Sequence, residues 1–218
     1  RLLKEFPGLL LENCTSGGGR FDPGMLYFSP QIWCSDDTDA AERLAIQEGT
    51  ALLYPLSTIG AHVSICPNHI VGRMTPFETR GFVALCGTFG YELDITRLSE
   101  EERRLMAEQV KLYHKYQPLV REGDYYRIAS ARENHEYDCW AVAAKDGSEA
   151  LVTFVQTAAR ANYHSRRIRL AGLKAGGRYR LEETGEVYAG ETLMLGGILV
   201  EPMMGDYRGK LMHFTEVQ

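Results

Sequence analysis

Three short apolar runs, each ending in polar or glycine-rich residues, set the pattern of the first sixty-five positions. They are "GLLLENC" from Gly8 to Cys14, "QIWCSD" from Gln31 to Asp36 and "STIGAHVSI" from Ser57 to Ile65. Such runs suit strands buried on both faces of a parallel sheet. Between the second and third the pattern predicts a helix. Asp39 is its N-cap, Glu42 completes a capping box and Gly49 is the stop signal. A second helical stretch runs from Phe77 to Phe89, interrupted by Gly81 and Gly87. "LSEEERRLMAEQVKLYHKYQPLV" predicts the longest helix. Ser99 and Glu102 make its capping box, and its early glutamates suit the macrodipole. Leu105, Leu112 and Tyr116 share a face beside Met106, Val110 and Tyr113, and Pro118 helps end the helix.

After Gly123 the texture changes. "YYRIAS", "YDCWAVAA", "EALVTFVQT", "RRIRLAGL", "GRYRLEET" and "LVEPM" have strand composition and are separated by "KDGS", "KAGG" and "TGE" turns. "AAKDGSEALVTF" reads as a hairpin around Asp146 and Gly147. Regular spacing of this kind predicts an antiparallel sandwich, with Tyr125, Tyr126 and Trp140 packing it. The fold class is therefore α/β followed by all-β. The boundary falls between Arg121 and Asp124, dividing the chain into residues 1–122 and 123–218.

Composition narrows the function. The 218 residues are 44% hydrophobic and 24% charged, which is ordinary for a globular protein. A net charge of −5 with no basic stripe argues against nucleic acid as a partner. No apolar run approaches a membrane span. "RLLKEFPGLLLEN" carries a glutamate and a proline and does not fit a signal peptide. The chain lacks an initiator Met and starts in what reads as mid-helix, so it is expected to be cut from a longer protein. Five cysteines, an odd number, lie far apart at positions 14, 34, 66, 86 and 139, which favours a reducing cytoplasm. "NCT" at Asn13 matches a glycosylation acceptor but sits beside a strand end, and is read as coincidence.

Functional groups of parallel α/β folds collect at the carboxyl ends of strands. The first strand ends at Glu12, Asn13 and Cys14 and runs into Thr15, Ser16, Gly17, Gly18 and Gly19. Glycines let the backbone approach a ligand closely. A flexible connection explains them as well. No Lys-Ser/Thr pair follows, so this is not a phosphate loop. The second strand ends at Asp36, Asp37 and Asp39. Asp39 suits the cap. The other two read either as a solvated loop or as a catalytic carboxyl. Acid work near neutral pH needs a carboxyl that keeps its proton, through burial or through a second carboxylate. A helix N-terminus opposes this, so a second negative charge is required. His62, Cys66 and His69 have superficially metal-like spacing. Pro67 and the apolar setting favour hydrogen-bonded structural histidines, and neither metal nor cofactor is expected. Trp33 fills a core or stacks on a sugar, with the first reading favoured.

The segments "ENCTSGGGRFDPGMLYFSPQIWCSDDTDAAERLAIQEGT", "GAHVSICPNH", "TRGFVALCGTFGYELD" and "GDYYR" closely resemble bacterial α-galactosidases of glycoside hydrolase family thirty-six. The resemblance runs from about Leu10 to Arg127 and is looser beyond. It implies the C-terminal part of a (β/α)8 TIM barrel, its last three strands and helices, followed by a C-terminal antiparallel β-sandwich. It also implies retaining hydrolysis of terminal α-linked galactose from substrates such as melibiose and raffinose. In the "SDxTDA" motif the first aspartate, here Asp36, is the acid/base. In "ENCxSGG", Cys14 and the backbone near Gly17 line the galactose site. Asp37 occupies a position where Asn is frequent, which argues against an essential charge there. The family's nucleophile lies in a "KWDxNR"-like motif, and no such motif occurs in these residues. Retaining chemistry needs two carboxyls roughly 5–5.5 Å apart, so the 218 residues alone are expected to be inactive. A transglycosylase of the same family and a non-catalytic galactoside-binding or assembly module are the competing readings. Exposed barrel edges lead to the expectation of a homo-oligomer.

Overall fold

The computed structural model describes residues 1–162 and 164–217. Its first half is built on strands β1 (Glu12–Asn13), β2 (Gln31–Ile32), β3 (Gly60–Ser64) and β4 (Thr88–Glu92). β1 pairs with β2 and β3 with β4, both in parallel. A parallel bridge between Ile32 and Ile59 joins the two pairs. The four strands thus follow one another in chain order. All five residues of β3 are buried, as a strand covered on both faces must be. The regular strands are shorter than the apolar runs, because the functional loops begin within those runs.

β4 is an element that the helical reading of Phe77–Phe89 misses. The helix stops at Ala84, and a turn at Leu85–Gly87 leads into the strand. Thr88, Phe89 and Tyr91 favour strand geometry, and Phe89 packs between strand and helices instead of continuing the helix.

Capping chemistry explains the helix starts. Asp39 accepts the Glu42 N–H at 3.0 Å and opens the Ala40–Ala51 helix. Only half of the expected box forms there, because the Glu42 carboxylate turns to Arg73 at 3.3 Å. Gly49 does not stop this helix; it sits exposed within it at a cost of about 1 kcal/mol relative to alanine. Ser99 and Glu102 close both halves of their box at the start of the Glu100–Glu122 helix. Pro118 does not end that helix either. It removes one helical donor, but burial of Leu119 and Val120 carries the helix on to Glu122.

The second half contains β5 (Asp124–Ala129), β6 (Tyr137–Ala143), β7 (Glu149–Gln156), β8 (Arg166–Ile168), β9 (Arg178–Leu181), β10 (Val187–Ala189), β11 (Ile198–Val200) and β12 (Arg208–Glu216). Six of them form an antiparallel sheet in the order β10-β9-β12-β7-β6-β5, while β11 and β8 form a separate pair. The β6–β7 hairpin turns where expected, with Ala143 opposite Ala150 and Gly147 at φ +70°.

Alternation along β6, β7 and β12 sorts the core. Ala141, Val152, Phe154, Met212 and Phe214 face one way and pack with Ile168, Ile198 and Val200. Trp140, Val142, Leu151, Val155 and Leu211 face the other way and pack with Leu44, Ile59, Val83, Tyr116 and Leu119. The sheet is therefore the middle of three layers: the short β8–β11 pair packs on one face as the second sheet of the expected sandwich, and the α/β half covers the other. Trp140 and Tyr125 consequently pack toward the α/β half, and Tyr126 toward the β8–β11 side. One continuous core joins the two halves, which fixes the platform from which the strand-end loops project.

Candidate active site

The loops after β1 and β2 meet at the carboxyl ends of their strands. Beyond Asn13 the chain enters a left-handed turn: Thr15, Ser16, Gly17 and Gly18 have φ of 49°, 53°, 70° and 89°. Hydrogen bonds from Gly18 N to Cys14 O (2.6 Å) and from Gly19 N to Thr15 O (3.1 Å) close it. Thr15 and Ser16 each pay about 1–2 kcal/mol for that conformation, the kind of local strain that concentrates at functional sites. The glycines are needed for a second reason. A Cβ on Gly17 would lie 2.9 Å from Asp36 N, and one on Gly18 would lie 3.2 Å from Cys34 O. The turn rests directly on the backbone after β2.

The three aspartates after β2 have different tasks. Asp39 is buried, caps the helix and pairs with Arg73. Asp37 accepts the Asp39 N–H at 2.9 Å and so shapes the turn. Asp36 is exposed. Among the described residues, the Cys14 thiol, 4.0 Å away, is the hydrogen-bonding neighbour of its carboxylate. Cys14, Gly17 and Asp36, singled out in the sequence, thus lie together in space.

A buried side chain that sequence reading passed over organises this loop. Arg43 is 1% exposed. Its Nε donates to Asp37 O (2.7 Å), its Nη2 to Ser35 O (2.7 Å), and its Nη1 to Cys34 Sγ (3.1 Å) and Gly60 O (3.3 Å). Burial pulls the guanidinium below its usual value, opposed by the charges of Cys34, Asp37 and Asp36; an arginine stays protonated throughout. A signal for Arg43 exists in the sequence. Positions 40, 43, 44 and 47 form the buried face of the helix, and two of them are polar.

His62 on β3 completes the layer beneath the loop. Its ring stacks on Trp33 with centroids 4.5 Å apart, and Nδ1 lies 3.4 Å from Arg43 Nη2. Trp33 is half-buried against His62, and the Arg43 guanidinium lies over its ring. Nε2 of His62 has no partner among the described residues, so the expected hydrogen-bonded histidine is only half satisfied. His69 is exposed, and no group of three or more potential metal ligands converges among the described residues.

Burial, and then the Arg43 charge, lower the His62 pKa to about 3. The folded chain holds this ring neutral. Its contribution is present above the unfolded value of 6.5 and is lost as pH falls toward 3. Replacing His62 with asparagine is expected to flatten the loss of stability between pH 6.5 and 4 by on the order of 3 kcal/mol. Urea titrations across that range check this, and an unchanged slope would contradict it.

Comparison with known proteins places this arrangement. The melibiase family model matches residues 1–123, more than half of the chain, and the glycosyl hydrolase family 36 C-terminal domain model matches residues 137–214. The chain belongs to the melibiase family, glycosyl hydrolase family 36. Among melibiase relatives, the bifunctional alpha-galactosidase/sucrose kinase AgaSK of Mediterraneibacter gnavus is 47% identical over 218 residues, covering 100% of this chain and 23% of its own length. The alpha-galactosidase AgaA of Geobacillus stearothermophilus is 46% identical over 217 residues, covering 100% of this chain and 30% of its own length. A crystal structure of an AgaA variant in complex with raffinose superposes with a TM-score of 0.96 at 44% identity, covering 99% of this chain and 30% of that one. The chain thus spans less than a third of the length of these melibiases.

Proposed function

We propose that these residues form the acid/base side of a retaining α-galactosidase site, completed by a nucleophilic carboxylate from outside the 218 residues. The observation that carries this is the division of labour after β2. Asp37 and Asp39 are committed to the turn and the cap, and Asp36 is left exposed at the strand's carboxyl end beside Cys14. The relatives named α-galactosidase and the raffinose-bound and stachyose-bound structures support the reaction and the substrate class, terminal α-linked galactose.

In this reading β1–β4 and their helices are the last units of a (β/α)8 barrel, four strands where sequence reading expects three because it takes β4 as helix, and the antiparallel sheet from Asp124 onward is its C-terminal domain, dividing the chain at 1–122 and 123–218. Galactose sits against the Cys14 thiol and the left-handed turn at Gly17, where the lack of a side chain lets the backbone come close to the sugar. The absent partner carboxylate attacks the anomeric carbon while Asp36 gives its proton to the departing glycosidic oxygen. Asp36 then takes a proton from water as that water opens the glycosyl ester. In any such pair the nucleophile's charge holds the proton on its partner before attack and vanishes once the ester forms. The proposal extends to a homo-oligomer, supported by exposed apolar side chains such as Leu10 and Tyr27, and to a cytoplasmic setting, supported by five free thiols.

The full-length protein is expected to release galactose from nitrophenyl α-galactoside and from raffinose. The 218-residue chain purified by itself is expected to turn over neither. Turnover by the isolated chain would contradict the assignment of the nucleophile to a residue beyond it.

A further inference from the structure

Asp36 stands in the irregular stretch between Ile32, where β2 ends, and Ala40, where the helix begins. A carboxyl in such a stretch keeps its aim only if the peptides on either side are held. The carbonyls of both neighbouring residues, Ser35 and Asp37, accept from the one guanidinium of Arg43, each at 2.7 Å; the first belongs to the peptide before Asp36, and the peptide after it is held by the Asp37 N–H, which donates to Ser35 Oγ at 3.0 Å. The same group reaches Gly60 O and so ties the stretch to β3. From the β1 side, Gly17 and Gly18 bear on residues 34–36. The segment around Asp36 is therefore held from two directions.

Burying a charge without a direct carboxylate partner is costly. Among the described residues Arg43 has no carboxylate in hydrogen-bonding range; its donors go to backbone carbonyls, to the Cys34 sulfur and, at 3.4 Å, to His62 Nδ1. This buried charge is thus committed to the loop. The three carbonyls are reached from three separate nitrogens, Nε, Nη1 and Nη2; an ammonium offers its three donors from one point and does not match that spread.

We propose that Arg43 is a positioning residue for proton transfer: it fixes the Asp36 carboxyl toward the glycosidic oxygen by holding the carbonyls of the residues before and after it, without touching the sugar. The inference rests on the acid/base role assigned to Asp36 above.

The test uses the full-length protein and its Arg43→Lys, Arg43→Met and Asp36→Ala variants. The readout is the ratio of kcat/KM for raffinose to that for a dinitrophenyl α-galactoside. Raffinose has a poor leaving oxygen that needs protonation, whereas dinitrophenolate leaves unaided. This ratio is independent of the folded fraction, so a poorly folding variant still reports. Misaiming the acid is expected to shift the ratio against raffinose by about 10- to 100-fold in both arginine variants, in the direction that Asp36→Ala shifts it. A wild-type ratio in both arginine variants, with the ratio shifted in Asp36→Ala, overturns the clamp and leaves Asp36 in place. A wild-type ratio in Arg43→Lys alone assigns the effect to charge and also overturns the clamp. An unshifted ratio in Asp36→Ala removes the acid assignment, and the role of Arg43 with it.

Discussion

Asp36→Ala in the full-length protein is expected to lower kcat/KM for raffinose by about 10²- to 10⁴-fold, the range that general acid–base catalysis supplies. The alkoxide of a sugar is a poor leaving group and accumulates charge in the transition state unless a proton arrives. Asp36 is exposed and, among the described residues, its carboxylate has the Cys14 thiol as its hydrogen-bonding neighbour, so its removal disturbs little of the fold. Asp39→Ala is the contrasting change. It removes the N-cap and the buried carboxylate that pairs with half-buried Arg73, so it acts mainly on stability, by about 1 kcal/mol for the cap alone. Steady-state kinetics together with thermal melting separate the two. Equal loss of melting temperature in both variants would remove the distinction drawn between these carboxylates.

Gly17→Val carries the second large effect. Position 17 has φ +70°, which a β-branched residue adopts only under strain. Its Cβ would meet Asp36 N at 2.9 Å and Ser35 Cα at 3.1 Å, and both contacts are backbone atoms that cannot swing away. The turn or the Asp36 loop must move by a good part of an ångström. A displacement of about 1 Å at a reacting group is worth about 10²-fold in rate, and turnover is expected to fall at least that far. Gly49→Ala is the internal control. Nothing lies within 4 Å of its Cβ and the site is helical, so stability should rise by about 1 kcal/mol with turnover unchanged. Wild-type turnover in Gly17→Val would show that the left-handed turn does not position the acid loop.

What was legible in the sequence divides along physical lines. Local chemistry is legible: Ser99 and Glu102 close their capping box, Asp39 caps its helix, and the turn at Gly147 joins β6 to β7. Signals that tertiary packing overrides are not. Gly49 and Pro118 read as stops, yet both helices continue, the second because Leu119 and Val120 are buried beyond the proline. β4 was absorbed into a helix because Phe89 carries no periodicity of its own in so short a segment. The β6–β7–β12 sheet is buried on both faces, which the regular strand spacing that suggested a sandwich does not reveal.

The site was legible to a different depth. Composition left the glycines and aspartates open between loop and active site, and the family resemblance singled out Cys14, Gly17 and Asp36. The reason that Gly17 and Gly18 must be glycine lies in the loop from another strand, which no local pattern contains. Arg43 was missed because its acceptors come from residues 34, 35, 37, 60 and 62, and such convergence exists only in three dimensions.

The most direct test of the acid/base assignment is the anomeric configuration of the product formed when full-length Asp36→Ala is given dinitrophenyl α-galactoside and azide. If Asp36 is the acid/base, the nucleophile still forms its glycosyl ester, azide opens that ester without needing a general base, and the product is α-galactosyl azide. β-Galactosyl azide would mean that azide had replaced the attacking carboxylate itself, which would make Asp36 the nucleophile and contradict the account.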